Sequence, residues 1–154
     1  MYQVINMLEI KIKKLYSDSK LPTRGSDNAA GYDLYANLKG QSQISIQPHE
    51  TKLISTGIAI ALPSGTFLGI YPRSGLASKK GLRPANCVGV VDSDYRGEIF
   101  VALHNDSNEE KIIEHEERIA QGILQFYMAQ DFIEVDELDE TNRGKGGFGS
   151  TGSK

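Results

Sequence analysis

The sequence predicts an all-β chain, a β-sandwich or jelly roll. Two observations carry that expectation. Short runs of alternating or β-branched residues recur along the whole chain, and Gly, Pro, Asn and Asp punctuate them at close intervals. A third is compositional: 16 glycines and 5 prolines suit a chain of many tight turns. At 154 residues the chain is long enough to bury one core and form a single domain.

The runs can be taken in order. LEIKIKKL at 8–15 sets Leu8, Ile10 and Ile12 against charged neighbours, the period of a half-buried strand. QISI (43–46), TKLISTGIAIAL (51–62), TFLGIY (66–71), ANCVGVV (85–91) and EIFVALHN (98–105) follow. The segment 109–126, EEKIIEHEERIAQGILQF, supports two readings. Ile112, Ile119 and Ile123 fall near helical spacing among good helix formers. Yet Ile119, Gln121, Ile123 and Gln125 could line one face of a strand, with Ala120, Gly122, Leu124 and Phe126 on the other. Gly122 weakens a helix interior, and the pattern leaves the two readings balanced. No repeat or second domain is visible. Residues 1–135 read as the β domain, and 136–154, acidic and then Gly-rich, as a flexible arm.

Charge and composition exclude several functions. With 20 acidic against 17 basic residues the net charge is −3, which argues against a general nucleic-acid binder needing a basic footprint. No apolar run approaches bilayer-spanning length, and MYQVINMLEIKIKKLY lacks the apolar segment and cleavage site of a signal peptide. No membrane association and a cytoplasmic location are therefore expected. One cysteine, Cys87, rules out an intrachain disulfide and a cysteine-rich zinc site; in its apolar run it reads as core rather than nucleophile. The three histidines have no metal-ligand spacing, and neither a zinc-deaminase signature nor G-x-S-x-G is present.

Local cationic stretches can still hold a small anion. In PRSGLASKKG (72–81), Pro72 fixes a backbone angle and places Arg73 and Ser74 at a turn closed by Gly75, a compact anion site or a solvated basic loop. GVVDSDYRGEI (89–99) presents Asp92 and Asp94 at what reads as a hairpin tip. Asp94 fits a turn former, and Tyr95 is a stacking surface for a sugar or base or an ordinary packing residue. Asn86 could read a base edge or cap a turn, and Asp33 sits in AGYDLYA beside Gly31. The end, RGKGGFGSTGSK, nearly spells a phosphate-binding P-loop, but Ser150 stands where the lysine belongs and no helix follows. Its glycine amides, hydroxyls and Arg143 could nonetheless wrap an anion.

AGYDL, PRSGLASKKG, GVVDSDYRGEI, ERIAQ and RGKGGFGSTG, in that order and spacing, resemble the five motifs of the homotrimeric dUTPase family from about Gly31 to Gly152. The resemblance implies a jelly-roll subunit, a homotrimer with active sites shared between chains, and strand for most of 109–126. It also implies Mg²⁺-dependent hydrolysis of dUTP to dUMP and pyrophosphate. In that scheme Asp92 activates the water, while Arg73, Ser74, Gly75 and Gln121 contact phosphates. Uracil is read by a hairpin of Asn86, Gly89, Val90, Val91 and Asp92, with Tyr95 on the deoxyribose. Phe148 stacks on the base, with Arg143, Gly149, Ser150 and Thr151 closing over the phosphates. Mg²⁺ is held by the triphosphate and waters, with Asp33 near it through water. Two other readings stay open beside this one: a deaminase acting on dCTP, and a dUTP-responsive regulator of another protein. No long insertion separates the third and fourth motifs to suggest an added regulatory module, and a regulatory partner is unknown.

Overall fold

In the computed structural model, residues 9–147 are described, and they form an antiparallel β structure of jelly-roll type. The strands are β1 (Lys11–Lys14), β2 (Thr23–Arg24), β3 (Tyr32–Tyr35), β4 (Gln43–Ile46), β5 (Thr51–Ser55), β6 (Ile58–Ala61), β7 (Thr66–Tyr71), β8 (Leu82–Pro84), β9 (Gly89–Asp92), β10 (Phe100–Asn105), β11 (Lys111–Glu114) and β12 (Arg118–Phe126). Five strands form one sheet in the order β2-β3-β12-β7-β9, and three form another, β5-β10-β8. The pairs β1-β6 and β11-β4 complete the body. Leu8 of the first expected strand lies outside the described residues.

The core lies between the larger sheets. Leu34, Ile70, Val91 and Ile119 from the five-stranded sheet meet Ile54, Leu82, Val101 and Leu103 from the three-stranded one. Each such side chain contributes about 1.5–3 kcal/mol on leaving water. The balanced segment resolves as strand. β12 pairs with β3 on one side over Arg118–Gly122 and with β7 on the other over Gln121–Phe126, so the two neighbouring strands supply the ladders that fix it as strand. A register shift between Arg118 and Ala120 turns both Ile119 and Ala120 inward, which is why simple alternation fails at that end.

Two of the expected runs are interrupted. TKLISTGIAIAL divides into β5 and β6 at Gly57, whose φ of +69° is strained for any residue with a Cβ. An added Cβ there would also sit 2.2 Å from Ser19 Oγ. ANCVGVV becomes strand only at Gly89, and the preceding residues form a bend that crosses from one sheet to the other. Cys87 lies in that bend and is exposed, so its expected core position is corrected.

One polar group is part of the core. Asn105 is fully buried, and its amide donates to the carbonyls of Ile46 (3.0 Å), Gln47 (3.1 Å) and Glu109 (2.7 Å), while its oxygen accepts from Ser107 N and Oγ. It ties β10 to the ends of β4 and β11. Asn105→Leu strands three carbonyls and should cost about 3 kcal/mol or more, read as a lowered denaturation midpoint in urea.

Candidate active site

Two clusters of site residues emerge, on opposite parts of the five-stranded sheet. The first is a cleft of about 240 Å³ at the β9 edge, lined by Ile70, Asn86, Gly89–Asp92, Tyr95, Glu98, Ile99 and Phe100. Along β9 the pleat buries Gly89 and Val91 and turns Val90 and Asp92 outward. The Asp92 carboxylate is exposed and takes no hydrogen bond from any other described residue, leaving its lone pairs for water or ligand. The Asn86 amide packs over Gly89, where a Cβ would come within 3.3 Å of its nitrogen. The cleft is thus bounded by an amide, a β-strand backbone and a carboxylate.

The expected hairpin is corrected. β9 pairs with β7, in the register Ile70 to Gly89 through Phe67 to Asp92, and β8 pairs with β10 in the other sheet. Neither strand flanking the bend pairs with the other, because the core needs Leu82 and Val91 in facing sheets. Asp92 therefore closes a strand at the sheet edge, and the chain turns at Ser93–Asp94 without a partner strand.

Tyr95 is half-exposed beside the cleft, and three contacts hold it. Its amide donates to Asp92 O at 3.2 Å, its hydroxyl donates to Glu98 O at 3.0 Å, and its ring folds across Gly97. A Cβ at Gly97 would lie 2.6 Å from the Tyr95 ring carbon bearing the hydroxyl. The Glu98 side chain lies below, only 11% exposed. Its Oε1 accepts from the Ser55 hydroxyl and, at 3.0 Å, from Gly57 N, and its Oε2 faces Lys39 Nζ at 3.4 Å. The Lys39 ammonium titrates above its ordinary value, through Tyr16 first and the Glu98 charge after it, against partial desolvation.

The second cluster is cationic. Asp33 on β3 accepts from Arg73 Nε at 2.8 Å with one oxygen and from Arg118 Nη1 at 3.2 Å with the other. Arg73 also reaches the Arg118 carbonyl at 3.4 Å, and Gln121 donates to Pro72 O at 2.9 Å, clamping β12 to the loop after β7. Two guanidiniums around one carboxylate leave a net positive patch with unspent N–H donors, suited to a phosphate. Ser74 and Gly75 are exposed beside it and open a short helical turn, Leu76–Lys80. Gly75, at φ −67°, begins that helical turn, where the sequence predicts that it closes the turn of Arg73 and Ser74. Lys80 pairs with Glu117 at 2.7 Å.

The clusters do not share a cavity: Arg73, Ser74, Gly75, Gln121 and Asp33 line no part of the cleft. Registers explain why. Asp33 faces Gln121, Gln121 faces Tyr71, and β9 lies one strand further on. For Asp33 three interstrand spacings amount to about 14 Å, while the loop of Arg73 leaves β7 at Tyr71, four residues or about 13 Å along the strand from Phe67, the partner of Asp92.

Sequence reasoning missed two residues. Arg118 stood in the quoted ERIAQ without a role, and Glu98 in GVVDSDYRGEI likewise. Their signal was weak, since only the fold brings Arg118 to Asp33 and Glu98 to Ser55. Arg143 lies in a self-contained turn, donating from Nε to Gly146 O at 2.9 Å. Phe148, Gly149, Ser150 and Thr151 lie outside the described residues. Among the described residues no three His, Cys, Asp or Glu side chains gather as a metal site, and no helix is long and apolar enough to cross a membrane.

Comparison with known proteins bears on this geometry. A sequence model of the dUTPase family matches residues 17–152. A deoxyuridine 5′-triphosphate nucleotidohydrolase of Nautilia profundicola is 47% identical over 145 residues, covering 94% of this chain and 99% of that protein. The dUTPase of Staphylococcus bacteriophage 80alpha, solved with dUPNHPP, superimposes with a TM-score of 0.85 at 25% identity, covering 95% of this chain and 99% of its own. A mutant dUTPase of phage phi11 of S. aureus, described with a structural Mg(II) ion, matches in fold with a TM-score of 0.77 at 19% identity, over 86% of this chain and all of that one. An antiparallel jelly roll carrying a nucleoside-sized cleft and a separate guanidinium patch, with this likeness over nearly its whole length, belongs to the dUTPase family, the enzymes that hydrolyse deoxyuridine 5′-triphosphate.

Proposed function

We propose that this dUTPase cleaves dUTP to dUMP and pyrophosphate by attack of an Asp92-activated water on the α-phosphorus, in sites assembled between chains of a homotrimer. The observation that carries the proposal is the unspent Asp92 carboxylate at the mouth of the β9 cleft. It is exposed, next to Tyr95 and the Asn86 amide, and no cation among the described residues pairs with it. A carboxylate so placed can accept a proton from water as the water attacks. Arg73, with Ser74, Gly75 and Gln121, binds the phosphate chain and stabilises the charge that develops on it. Uracil enters against the β9 backbone, where an edge read by peptide groups rejects the thymine methyl on size and cytosine on its donor pattern. Tyr95 packs on the deoxyribose and excludes a 2′-hydroxyl.

The residues fit Mg²⁺ as an ion carried by the substrate. Asp33 spends both oxygens on guanidiniums, so its part is to hold Arg73 and Arg118, and the ion's ligands are triphosphate oxygens and waters. Bound there, the ion would neutralise the polyphosphate and ease the departure of pyrophosphate.

Two observations support sharing between chains. Arg73 follows the end of β7 away from the Phe67–Asp92 pair, and it and Asp92 line no common cavity among the described residues of one subunit. The end of β12 and the segment after it also expose Phe126, Met128, Phe132, Ile133 and Leu138 by more than 80% each, apolar surface that a neighbouring copy would bury. Residues 136–154 then act as the arm that closes a site, with Phe148 on the uracil ring and Arg143, Gly149, Ser150 and Thr151 on the phosphates.

Pyrophosphate release measured on dUTP, dTTP, dCTP and UTP, with and without Mg²⁺, tests the proposal. Release from dUTP alone, dependent on Mg²⁺, is expected; ammonia from dCTP would establish the deaminase instead. Ending the chain at Asn142 should lower turnover about a hundredfold or more while leaving the assembly intact by light scattering. Full turnover in that truncation would deprive the arm of its role.

A further inference from the structure

Beneath the cleft lies a carboxylate that the mechanism does not use. Glu98 is about nine-tenths buried, lines the cleft, and directs its charge away from it toward β5 and β6. A buried carboxylate is costly unless its lone pairs are satisfied, and here they are: the Ser55 hydroxyl and Gly57 N–H share one oxygen, and Lys39 faces the other. The peptide unit that follows is held as firmly. Ile99 N–H donates to Ile58 O at 2.9 Å, and the carbonyl of the same peptide, Glu98 O, accepts the Tyr95 hydroxyl at 3.0 Å. Tyr95 therefore takes its bearing from a peptide plane bolted to the β5–β6 connection. Gly97 completes the seat, because the ring occupies the space a Cβ would need.

We infer that Glu98 is a positioning residue for sugar selection: it anchors the Gly97–Glu98 seat that holds the Tyr95 ring against the position of the 2′ carbon. The inference rests on the proposed reading of Tyr95 as the sugar-facing ring and adds the device that fixes it. A ring excludes a hydroxyl only if it cannot yield, since a free tyrosine would swing aside into solvent and admit UTP. Nothing else among the described residues fixes the far end of this ring, because its hydroxyl has no bond except that to Glu98 O.

The consequence is that dUTP selectivity depends on Ser55, which lies on β5 and lines no part of the cleft. The ratio of kcat/KM for dUTP to that for UTP is measured for Glu98→Ala, Glu98→Gln, Ser55→Ala, Tyr95→Phe and Tyr95→Ala, with thermal melts alongside. Glu98→Ala and Ser55→Ala should lower the ratio about three- to tenfold, the loss expected when one positioning hydrogen bond goes, chiefly by a rise in kcat/KM for UTP. Tyr95→Phe, which keeps the ring and removes only its hydroxyl, should fall in the same range. Glu98→Gln, which can still accept from Gly57 N–H, should stay near the parent ratio. A role confined to stability would lower the melting temperature and reduce both substrates in parallel, leaving the ratio unchanged. An unchanged ratio in Glu98→Ala and Ser55→Ala, beside a collapsed ratio in Tyr95→Ala, overturns the inference and leaves the reading of Tyr95 standing. An unchanged ratio in Tyr95→Ala overturns both. Should Glu98→Ala not fold, Ser55→Ala and Tyr95→Phe decide by the same criterion.

Discussion

Asp92→Asn is expected to bind dUTP as well as the parent and to release pyrophosphate at least about a thousandfold more slowly. The amide has nearly the carboxylate's size and shape, and Asp92 makes no side-chain bond within the described chain that its replacement would break. Folding should therefore be unaffected. On the proposed mechanism, what the substitution removes is the ability to take a proton at neutral pH and the negative charge that orients a water beside the α-phosphorus. Removing that charge also relieves repulsion of the triphosphate, so affinity should hold or tighten slightly. The contrast with Asp94 makes the test specific. Asp94 is exposed in the turn after β9 and lies outside the cleft, so Asp94→Asn should keep turnover within about threefold. Calorimetric binding of dUTP together with single-turnover release separates the steps. Retention of a tenth of the parent rate in Asp92→Asn would exclude it as the base.

Where the sequence could be read, one local cause dominated each feature. The β9 pleat follows from GVVD itself: alternation placed Asp92 on an exposed face once Val91 was buried. TFLGIY and QISI are strands as written, since nothing near them competes. Legibility ended where distant partners decide. The segment 109–126 was balanced between helix and strand because its own residues satisfy either period, and only the ladders offered by β3 and β7 choose. Cys87 looked like core because it sits among apolar residues, but the bend that delivers Val91 to one sheet and Leu82 to the other carries it outward. Asp33 could be numbered but not understood from AGYDL alone. Its partners lie 40 and 85 residues away, and the pairing of β12 with both β3 and β7 is what brings them to it.

Two inactive variants, Asp92→Asn and Arg73→Ala, should restore activity when their chains are mixed. This outcome depends on the geometry of the single subunit more than on any one residue. If a site took its base and its phosphate cluster from the same chain, every chain in the mixture would remain defective and the activity would stay at the background of the parents. If a site takes Asp92 from one chain and Arg73 from another, it works whenever the first comes from an Arg73→Ala chain and the second from an Asp92→Asn chain. Random assortment at equal amounts satisfies both conditions in about a quarter of sites. Chains must be exchanged by unfolding and refolding together, or by coexpression, because subunits mixed after assembly need not exchange. Arg73→Ala frees one oxygen of Asp33 but leaves Arg118 on the other, so the local charge stays balanced and the subunit should fold. Recovery to about a quarter of the parent rate would fix the sites as shared, and a refolded mixture no more active than its components would return Asp92 and Arg73 to a single chain, although the two stand at opposite ends of the β7–β9 pair.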